Sequence, residues 1–141
     1  LGELTDNIEQ HSKYSNAYLF LRQDISENLI EILIFDDGLS IPFVFEKNGI
    51  KFSKDNEAIK LAIEGVTTKK EDISRGFGLR TSKNIVKALK GNMQIISRKG
   101  ILHLQDSTIE CKELEKELNG TLIIIKLKIP EKDLNIYNYL E

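Results

Sequence analysis

The order of apolar and polar positions along the chain predicts a series of helices and strands. In residues 1–12, Leu1, Leu4 and Ile8 recur at helical spacing, so this stretch is predicted to form an amphipathic helix. Residues 16–23 and 28–35 are apolar runs that predict two strands, and the polar DISE between them favours a hairpin. The second run is nearly continuous in apolar character, which is typical of a strand buried on both faces.

The rest of the chain predicts two more helices followed by strands. Residues 55–65 predict a short helix that ends at Gly65, and residues 76–91 predict a longer one that ends at Gly91. Residues 66–75 between them have no apolar period and predict a mobile loop. NMQIIS, ILHLQDS and GTLIIIKLKIP predict strands, whereas CKELEKELNG predicts a charged surface segment. This order predicts an α+β two-layer sandwich with helices on one face of a mixed, largely antiparallel sheet.

Length, charge and cysteine content narrow the class of protein. The chain has 141 residues, which fits a single domain over 1–141, and its net charge of -2 gives no indication of nucleic-acid binding. Cys111 is the only cysteine, which rules out an internal disulfide and favours a reducing, cytoplasmic location. No apolar run approaches the ~18 residues of a membrane-spanning helix. Because the chain starts at Leu1 in the middle of a helical pattern, we expect a fragment of a longer protein with its N-terminal part truncated.

An acidic pair ends the second predicted strand. Asp36 and Asp37 follow the run LIEILIF directly and precede Gly38. Ends of strands in open α/β sheets often contact ligands, so Asp36 is a candidate ligand-binding carboxylate. The alternative is an ordinary turn, in which Asp and Gly are common.

A glycine pair and a polar loop are candidates for phosphate binding. Gly76 and Gly78 stand at the start of the predicted helix 76–91, where N–H groups and the helix dipole favour an anion. Thr67, Thr68 and Lys69 lie in the preceding loop and could close over phosphate oxygens. A simple turn and a flexible surface loop are the alternatives for these two segments.

Two polar residues share one face of the predicted first helix. Glu3 and Asn7 lie one helical turn apart. A carboxylate can act as a general base, and an Asn oxygen is a suitable ligand for Mg²⁺. The alternative is a solvated helix face, which is the common role of such residues.

The order of these segments resembles the Bergerat-fold ATP-binding domains, the superfamily of gyrase, heat-shock chaperone ATPases, sensor histidine kinases and mismatch-repair ATPases. ELTDN resembles their first box, in which Glu precedes Asn by four positions, and DDGLSIP resembles their D-x-G-x-G-I box. TTK followed by GFGL resembles the lid and G-x-G-L box of sensor kinases, and GT at positions 120 and 121 resembles the closing box. The resemblance covers residues 1 to about 130.

The resemblance implies a role for each box. Asn7 would coordinate Mg²⁺, Asp36 would accept a hydrogen bond from the adenine amino group, and Glu3 would be the catalytic base. The other residues implied in ATP binding are Gly38, beside the base, Lys69 on the lid, Gly76, Gly78 and Leu79 at the phosphates, and Thr121 beside Asp36.

The implied function is that of the ATP-binding domain of a sensor-histidine-kinase-like signalling protein, which supplies the γ-phosphoryl group. Three alternatives stay open: an anti-sigma-factor-type serine kinase or ATP-hydrolysing member, a nucleotide-sensing interaction module with little turnover, and an α/β domain that binds no nucleotide. A protein partner or an upstream domain would act as the phosphoryl acceptor or as a regulator of this domain. Any homodimer would form through segments that lie outside this sequence.

Three departures from the family pattern stand out. Ser40 replaces the usual second glycine, and the helix and strand that usually precede the first box are not in this sequence, as expected of a truncated chain. Residues 99–119 lengthen the connection between the last strands and are a candidate partner surface.

Overall fold

The computed structural model of the chain describes Leu4 and residues 13–66 and 78–129. These residues form four strands and three helices. In chain order, the elements are β1 (Ala17–Asp24), β2 (Leu29–Asp36), α1 (Ile41–Lys47), α2 (Asp55–Ile63), α3 (Gly78–Ala88), β3 (Asn92–Gln105) and β4 (Thr108–Lys128). The predicted loop 66–75 lies outside the described residues, except for Val66, and so does most of the predicted first helix.

The four strands form one sheet in the order β1-β2-β4-β3. The three pairings among the described strands are all antiparallel, so the parallel pairing expected in a mixed sheet is not found in this part of the chain. Strands β1 and β2 form a hairpin, as predicted from the polar DISE connection, and so do β3 and β4. Strand β4 then lies between β2 and β3, which joins the two hairpins into one sheet.

The apolar core lies between one face of this sheet and the helices. Alternate residues of strands β2, β3 and β4 point into it, including Ile34, Ile95, Ile123 and Ile125. Helices α2 and α3 contribute buried apolar residues to the same cluster, and Leu4 is also part of it. A second, smaller cluster joins Phe45 of α1 to α2. The described residues are therefore α+β and consistent with the predicted two-layer sandwich.

Helix α1 was not predicted from the sequence. Ser40 is its N-cap, because the side chain accepts a hydrogen bond from the backbone N–H of Phe43. Pro42 stands in the first turn, where its missing N–H is not needed. Ser40, where the sequence departs from the D-x-G-x-G-I pattern, therefore has a local structural role as a helix cap.

The segment 99–119 continues strands β3 and β4 as a long hairpin. NMQIIS and ILHLQ belong to a single strand, and Asp106 and Ser107 form the turn that follows it. The charged segment 111–120 is mostly exposed, as predicted, but it is part of strand β4. The register of the β3–β4 pairing shifts between Ser97 and Gly100. This irregularity separates the distal part of the hairpin, beyond Gly100, from the part in the main sheet. Leu102 and Leu104 are buried in the same core cluster as α2, so one face of the hairpin covers that helix. Most of the charged residues of 110–117 remain exposed.

An arginine at the bend fastens the hairpin to two helices. Arg98 adopts a left-handed backbone conformation with φ of 53°. Its guanidinium donates hydrogen bonds to both carboxylate oxygens of Asp55 at the start of α2 and to both oxygens of Glu46 in α1. Gly100 follows closely, and a Cβ there would lie 2.6 Å from the backbone nitrogen of Asn56. The hairpin therefore contacts the first turn of α2 through both side chain and backbone.

The predicted helices 55–65 and 76–91 correspond to α2 and α3, of which the structure describes the latter from Gly78 onwards. Gly65, just past the end of α2, has a φ of +99°, which suits the glycine predicted there. Within the described part of the chain, no helix is long and apolar enough to cross a membrane.

Candidate functional site

Asp36 is the last residue of β2 and is almost completely buried. Its exposed fraction is 4%, and its neighbours across the sheet are Ala17 of β1 and Thr121 of β4. Its Oδ1 accepts a hydrogen bond of 3.0 Å from the backbone N–H of Gly38. Because burying a carboxylate is unfavourable without hydrogen-bond donors, this turn stabilises the acid where the strand ends. The structure thus brings together three of the predicted site residues, Asp36, Gly38 and Thr121.

Two hydroxyl residues follow Asp36 across the sheet: Thr121 of β4 pairs with Asp36, and Ser97 of β3 pairs with Thr121. Thr121 is 8% exposed, and its Oγ1 lies 2.9 Å from the Oγ of Ser97, which is fully buried in β3. Ser97 also accepts a hydrogen bond from the backbone N–H of Ile41, at the start of α1, at 2.9 Å. The end of the sheet is therefore tied to α1 by a buried polar network.

Gly120 allows the strands to meet at this point. Its φ is +98°, and a Cβ there would overlap the carbonyl oxygen of Asp36. Any other residue would push Asp36 away and strain the backbone as well. The GT pair of the sequence thus has two separate roles: Gly120 permits the close approach, and Thr121 supplies the hydroxyl.

Asp37 has a different role from that of Asp36. Its Oδ1 accepts hydrogen bonds of 2.8 Å from the backbone N–H groups of Ser15 and Asn16, and its Oδ2 accepts one from the Asn16 side chain. These bonds, above all those from Asn16, hold the pKa of Asp37 below its usual value. Asp37 therefore anchors the segment that leads into β1, whereas the sequence pattern indicated only a turn.

The last two residues of the G-x-G-L segment, Gly78 and Leu79, begin α3, within the predicted helix 76–91. Gly78 is the first residue of the helix and is buried. Leu79 packs against both apolar clusters, and Ile41 does the same. Since Ile41 is also bonded to Ser97, the start of α3 and the Asp36 end of the sheet are connected through the core.

Four predicted site residues lie outside the described residues: the proposed base Glu3, the proposed Mg²⁺ ligand Asn7, the lid residue Lys69, and Gly76 of the glycine pair. Among residues 13–66 and 78–129, no group of His, Cys, Asp and Glu side chains could hold a metal ion. The roles of these four residues remain predictions.

Sequence reasoning missed Ser97, the most buried polar residue of the site. One signal was present, since Ser97 continues the alternation of Met93 and Ile95 and so falls on the face that points into the core. A serine on such a face must find hydrogen-bond partners, but the sequence does not show that these would be Thr121 and Ile41.

No protein-family model matches this chain, and a comparison with curated proteins finds no relative. The residues of the site and the resemblance of the sequence boxes are therefore the basis for assigning a function.

Proposed function

We propose that this domain binds ATP together with Mg²⁺, as the ATP-binding domain of a sensor-histidine-kinase-like signalling protein that supplies the γ-phosphoryl group. The observation that supports this most is the position of Asp36, a buried carboxylate opposite Thr121 where β2 ends. An ionised carboxylate only accepts hydrogen bonds, and the exocyclic amine of adenine only donates them. The Asp36 carboxylate is therefore a suitable hydrogen-bond acceptor for the amino group of adenine.

The phosphate and metal parts of the proposal depend on the sequence boxes. Gly78 and Leu79 begin α3, an 11-residue helix whose N-terminal N–H groups and dipole suit phosphate oxygens. Gly76, Lys69 and Asn7 would complete this part, with Asn7 as the ligand of Mg²⁺. The metal would neutralise phosphate charge during transfer.

A second candidate function, a nucleotide-sensing interaction module, is favoured by strand β1. Four consecutive apolar side chains there are more than half exposed, which is unusual for an edge strand: Tyr18, Leu19, Phe20 and Leu21. Incubation with labelled ATP and with candidate partner proteins separates the two functions. Transfer of label to a protein supports the kinase, whereas saturable binding without transfer or hydrolysis supports the module.

The test of the proposal is the substitution Asp36→Asn, with Asp37→Asn as its matched control. Asn keeps an oxygen for the Gly38 N–H and turns its NH₂ group towards the adenine amine, so that two donors face each other. Loss of a hydrogen bond to a charged group should weaken ATP binding about ten- to a hundredfold. GTP carries a carbonyl at that position and should lose little.

Titration of both nucleotides with Mg²⁺ by calorimetry, with circular dichroism to confirm folding, gives the result. We expect the same ATP-to-GTP preference in Asp37→Asn as in the wild type, because Asp37 holds the segment before β1 instead. An unchanged ATP affinity in folded Asp36→Asn would show that this carboxylate does not contact adenine. Absence of binding by the folded wild type at millimolar nucleotide would contradict the proposed function as a whole.

A further inference from the structure

The face of the sheet that points away from the helices, which we call the outer face, carries a second set of apolar side chains. Along β2, Leu33 and Phe35 alternate with Ile32 and Ile34, which pack in the core, so the first two lie on the outer face. The pairing registers arrange the outer-face residues in rows across all four strands. The first row is Tyr18, Phe35, Leu122 and Ile96, and the second is Phe20, Leu33, Ile124 and Gln94.

Among the residues that the structure describes, no helix packs on the outer face. The apolar residues that pack with α1, α2 and α3 form the two core clusters, and none of the seven apolar residues of the two rows belongs to either cluster. Tyr18 and Phe20 are 59% and 52% exposed. The rings of Tyr18 and Phe35 stack on each other, with centroids 6.3 Å apart, so part of the apolar surface is already ordered.

A third, charged row borders the apolar rows, close to where β2 begins. It consists of Arg22, Glu31, Lys126 and Asn92. Glu31 lies 3.0 Å from the Nζ of Lys126 and 3.3 Å from the guanidinium of Arg22. The outer face therefore has two unlike halves. The β1–β2 half has the aromatic rings and the acid, whereas the β4–β3 half has aliphatic side chains and the lysine.

A two-fold axis parallel to the strands, between β2 and β4, matches these halves to each other. It places β1 of one copy over β3 of the other, β2 over β4, and each row over the same row. Glu31 of each copy then faces Lys126 of the other, and the aromatic rings face aliphatic or amide side chains. An axis across the strands would instead put the charged row over an apolar row or leave it outside the contact.

We propose that a second copy of this chain packs on the outer face, so that two sheets form an isologous dimer. Facing sheets lie about 10 Å apart with nearly aligned strands, which fits this axis. The apolar rows extend over four strands, about 19 Å, whereas one helix is only about 10 Å wide, so a sheet covers them more completely.

The size of the outer face determines how stable this dimer can be. Four strands about 4.8 Å apart and three rows about 7 Å apart give roughly 400 Å² per copy. Apolar patches of a few hundred Å² are typical of interaction sites. The face is nevertheless smaller than the ~800 Å² per partner of a standard interface, so we expect a weak dimer that depends on concentration.

The dimer leaves the candidate nucleotide site open. Asp36 alternates with Phe35 along β2, so it lies on the helix side of the sheet, away from the second copy. The dimer does not depend on the proposed function, and the two can be tested separately.

The experiment reverses one charge in each of two separate chains. Glu31→Lys leaves only positive charges facing each other between the two central strands, and Lys126→Glu leaves only negative ones. In analytical ultracentrifugation, we expect the wild type to dimerise as its concentration rises from micromolar to millimolar. Each variant should have a dissociation constant raised about tenfold or more, because like charges then face each other. An equal mixture of the two variants should recover the dimer, because opposite charges face each other again.

Three control variants, with circular dichroism to confirm folding, locate the contact. Glu64→Lys makes the same change in charge at an exposed position after α2 and should keep the wild-type dissociation constant. Phe20→Ser and Leu21→Ser remove similarly exposed side chains from opposite faces of β1. Only Phe20→Ser should weaken the dimer.

Three results would overturn the proposal. The first is a wild type that stays monomeric up to millimolar concentration, whether residues 130–141 of the same chain or a different protein covers the outer face. The second is a mixture of folded Glu31→Lys and Lys126→Glu that does not associate, since mixing would not repair a defect within each chain. The third is equal weakening by Phe20→Ser and Leu21→Ser, which would place the contact at the free edge of β1.

Discussion

Strands β1 and β3 lie at opposite edges of the same sheet and have opposite surroundings. In β3 alternate residues are buried on both sides of a break at Arg98 and Lys99, and Ile95 and Leu102 are fully buried beneath the helices. In β1 the apolar run is exposed on both faces, since Leu21 points to one side and Phe20 to the other, and they are 58% and 52% exposed. Both segments are rich in strand-forming apolar residues, so composition does not explain the difference.

The difference arises from the layer that covers each edge. Helices α2 and α3 contribute to the cluster that buries β3, and the distal hairpin covers α2 in turn. Apolar residues make a strand stable only where another layer removes them from water. The comparison of the two edge strands therefore shows that an apolar strand sequence is buried only where helices pack against it.

The largest expected contrast is between two leucines, one on each hairpin. Leu102→Ala removes a fully buried side chain and should lower the free energy of unfolding by about 2–5 kcal/mol. Leu21→Ala removes the same atoms from a side chain that is 58% exposed, and it should change the free energy by less than about 0.5 kcal/mol. Urea unfolding of the two variants measures both. Equal losses would mean that β1 is covered in solution.

A smaller contrast is expected between two arginines. Arg98→Ala leaves Asp55, which is nearly buried, without its guanidinium partner and should cost about 1–3 kcal/mol, because the ion pair is partly exposed. Arg22→Ala removes a pairing of 3.3 Å on the exposed edge, where Glu31 keeps Lys126 at 3.0 Å. We expect no measurable loss of stability from Arg22→Ala. A similar loss in both variants would show that Arg98 does not fasten the hairpin.

The smallest expected effect is a difference in acid sensitivity between these variants. Hydrogen bonds from Arg98 hold the pKa values of Asp55 and Glu46 below their usual range. The folded protein therefore binds fewer protons, so this stabilisation is complete above the usual carboxyl pKa and is lost as the pH falls through the lower folded values. The stability difference between wild type and Arg98→Ala should shrink below about pH 4.

Denaturant unfolding at several pH values between neutral and acidic measures this change. Arg22→Ala should follow the wild-type profile throughout, since it leaves Asp55 and Glu46 with their partner. A constant difference between wild type and Arg98→Ala at all pH values would contradict the assigned cause of the two pKa shifts.

Sequence periodicity was sufficient to predict β1, β2 and α2, because in each of them a local apolar pattern ends at a polar or glycine residue. It was not sufficient for the end of β3, because Arg98 interrupts the pattern and its carboxylate partners Glu46 and Asp55 lie far away in the chain. Helix α1 was missed because its apolar and aromatic residues suggested no helix, although Ser40 and Pro42 are typical start signals.

The features of the candidate site also fall into two groups, those that local sequence patterns predicted and those that they did not. The position of Asp36 at the end of β2 followed from the sequence, as did the presence of a helix over Gly78–Ala88. The separate role of Asp37 and the contact between Ser97 and Thr121 depend on residues that approach only in the folded chain. Local patterns therefore indicate where a strand ends, but they do not show what lies beside it.

The pairing of Asp36 with Thr121 has a consequence for the order of folding. Strands β3 and β4 are joined by a two-residue turn, Asp106 and Ser107, whose positive φ values suit a tight hairpin. Strand β2 can pair with β4 only after positions 36 and 121, which are far apart in the chain, have come close together. Closing such a long loop is slow, because the chain loses conformational entropy before the strand pairing stabilises it. We expect substitutions near the turn to alter the folding rate and substitutions at Thr121 to alter mainly the unfolding rate. A ligand bound there would then prolong the life of the native state without speeding its formation.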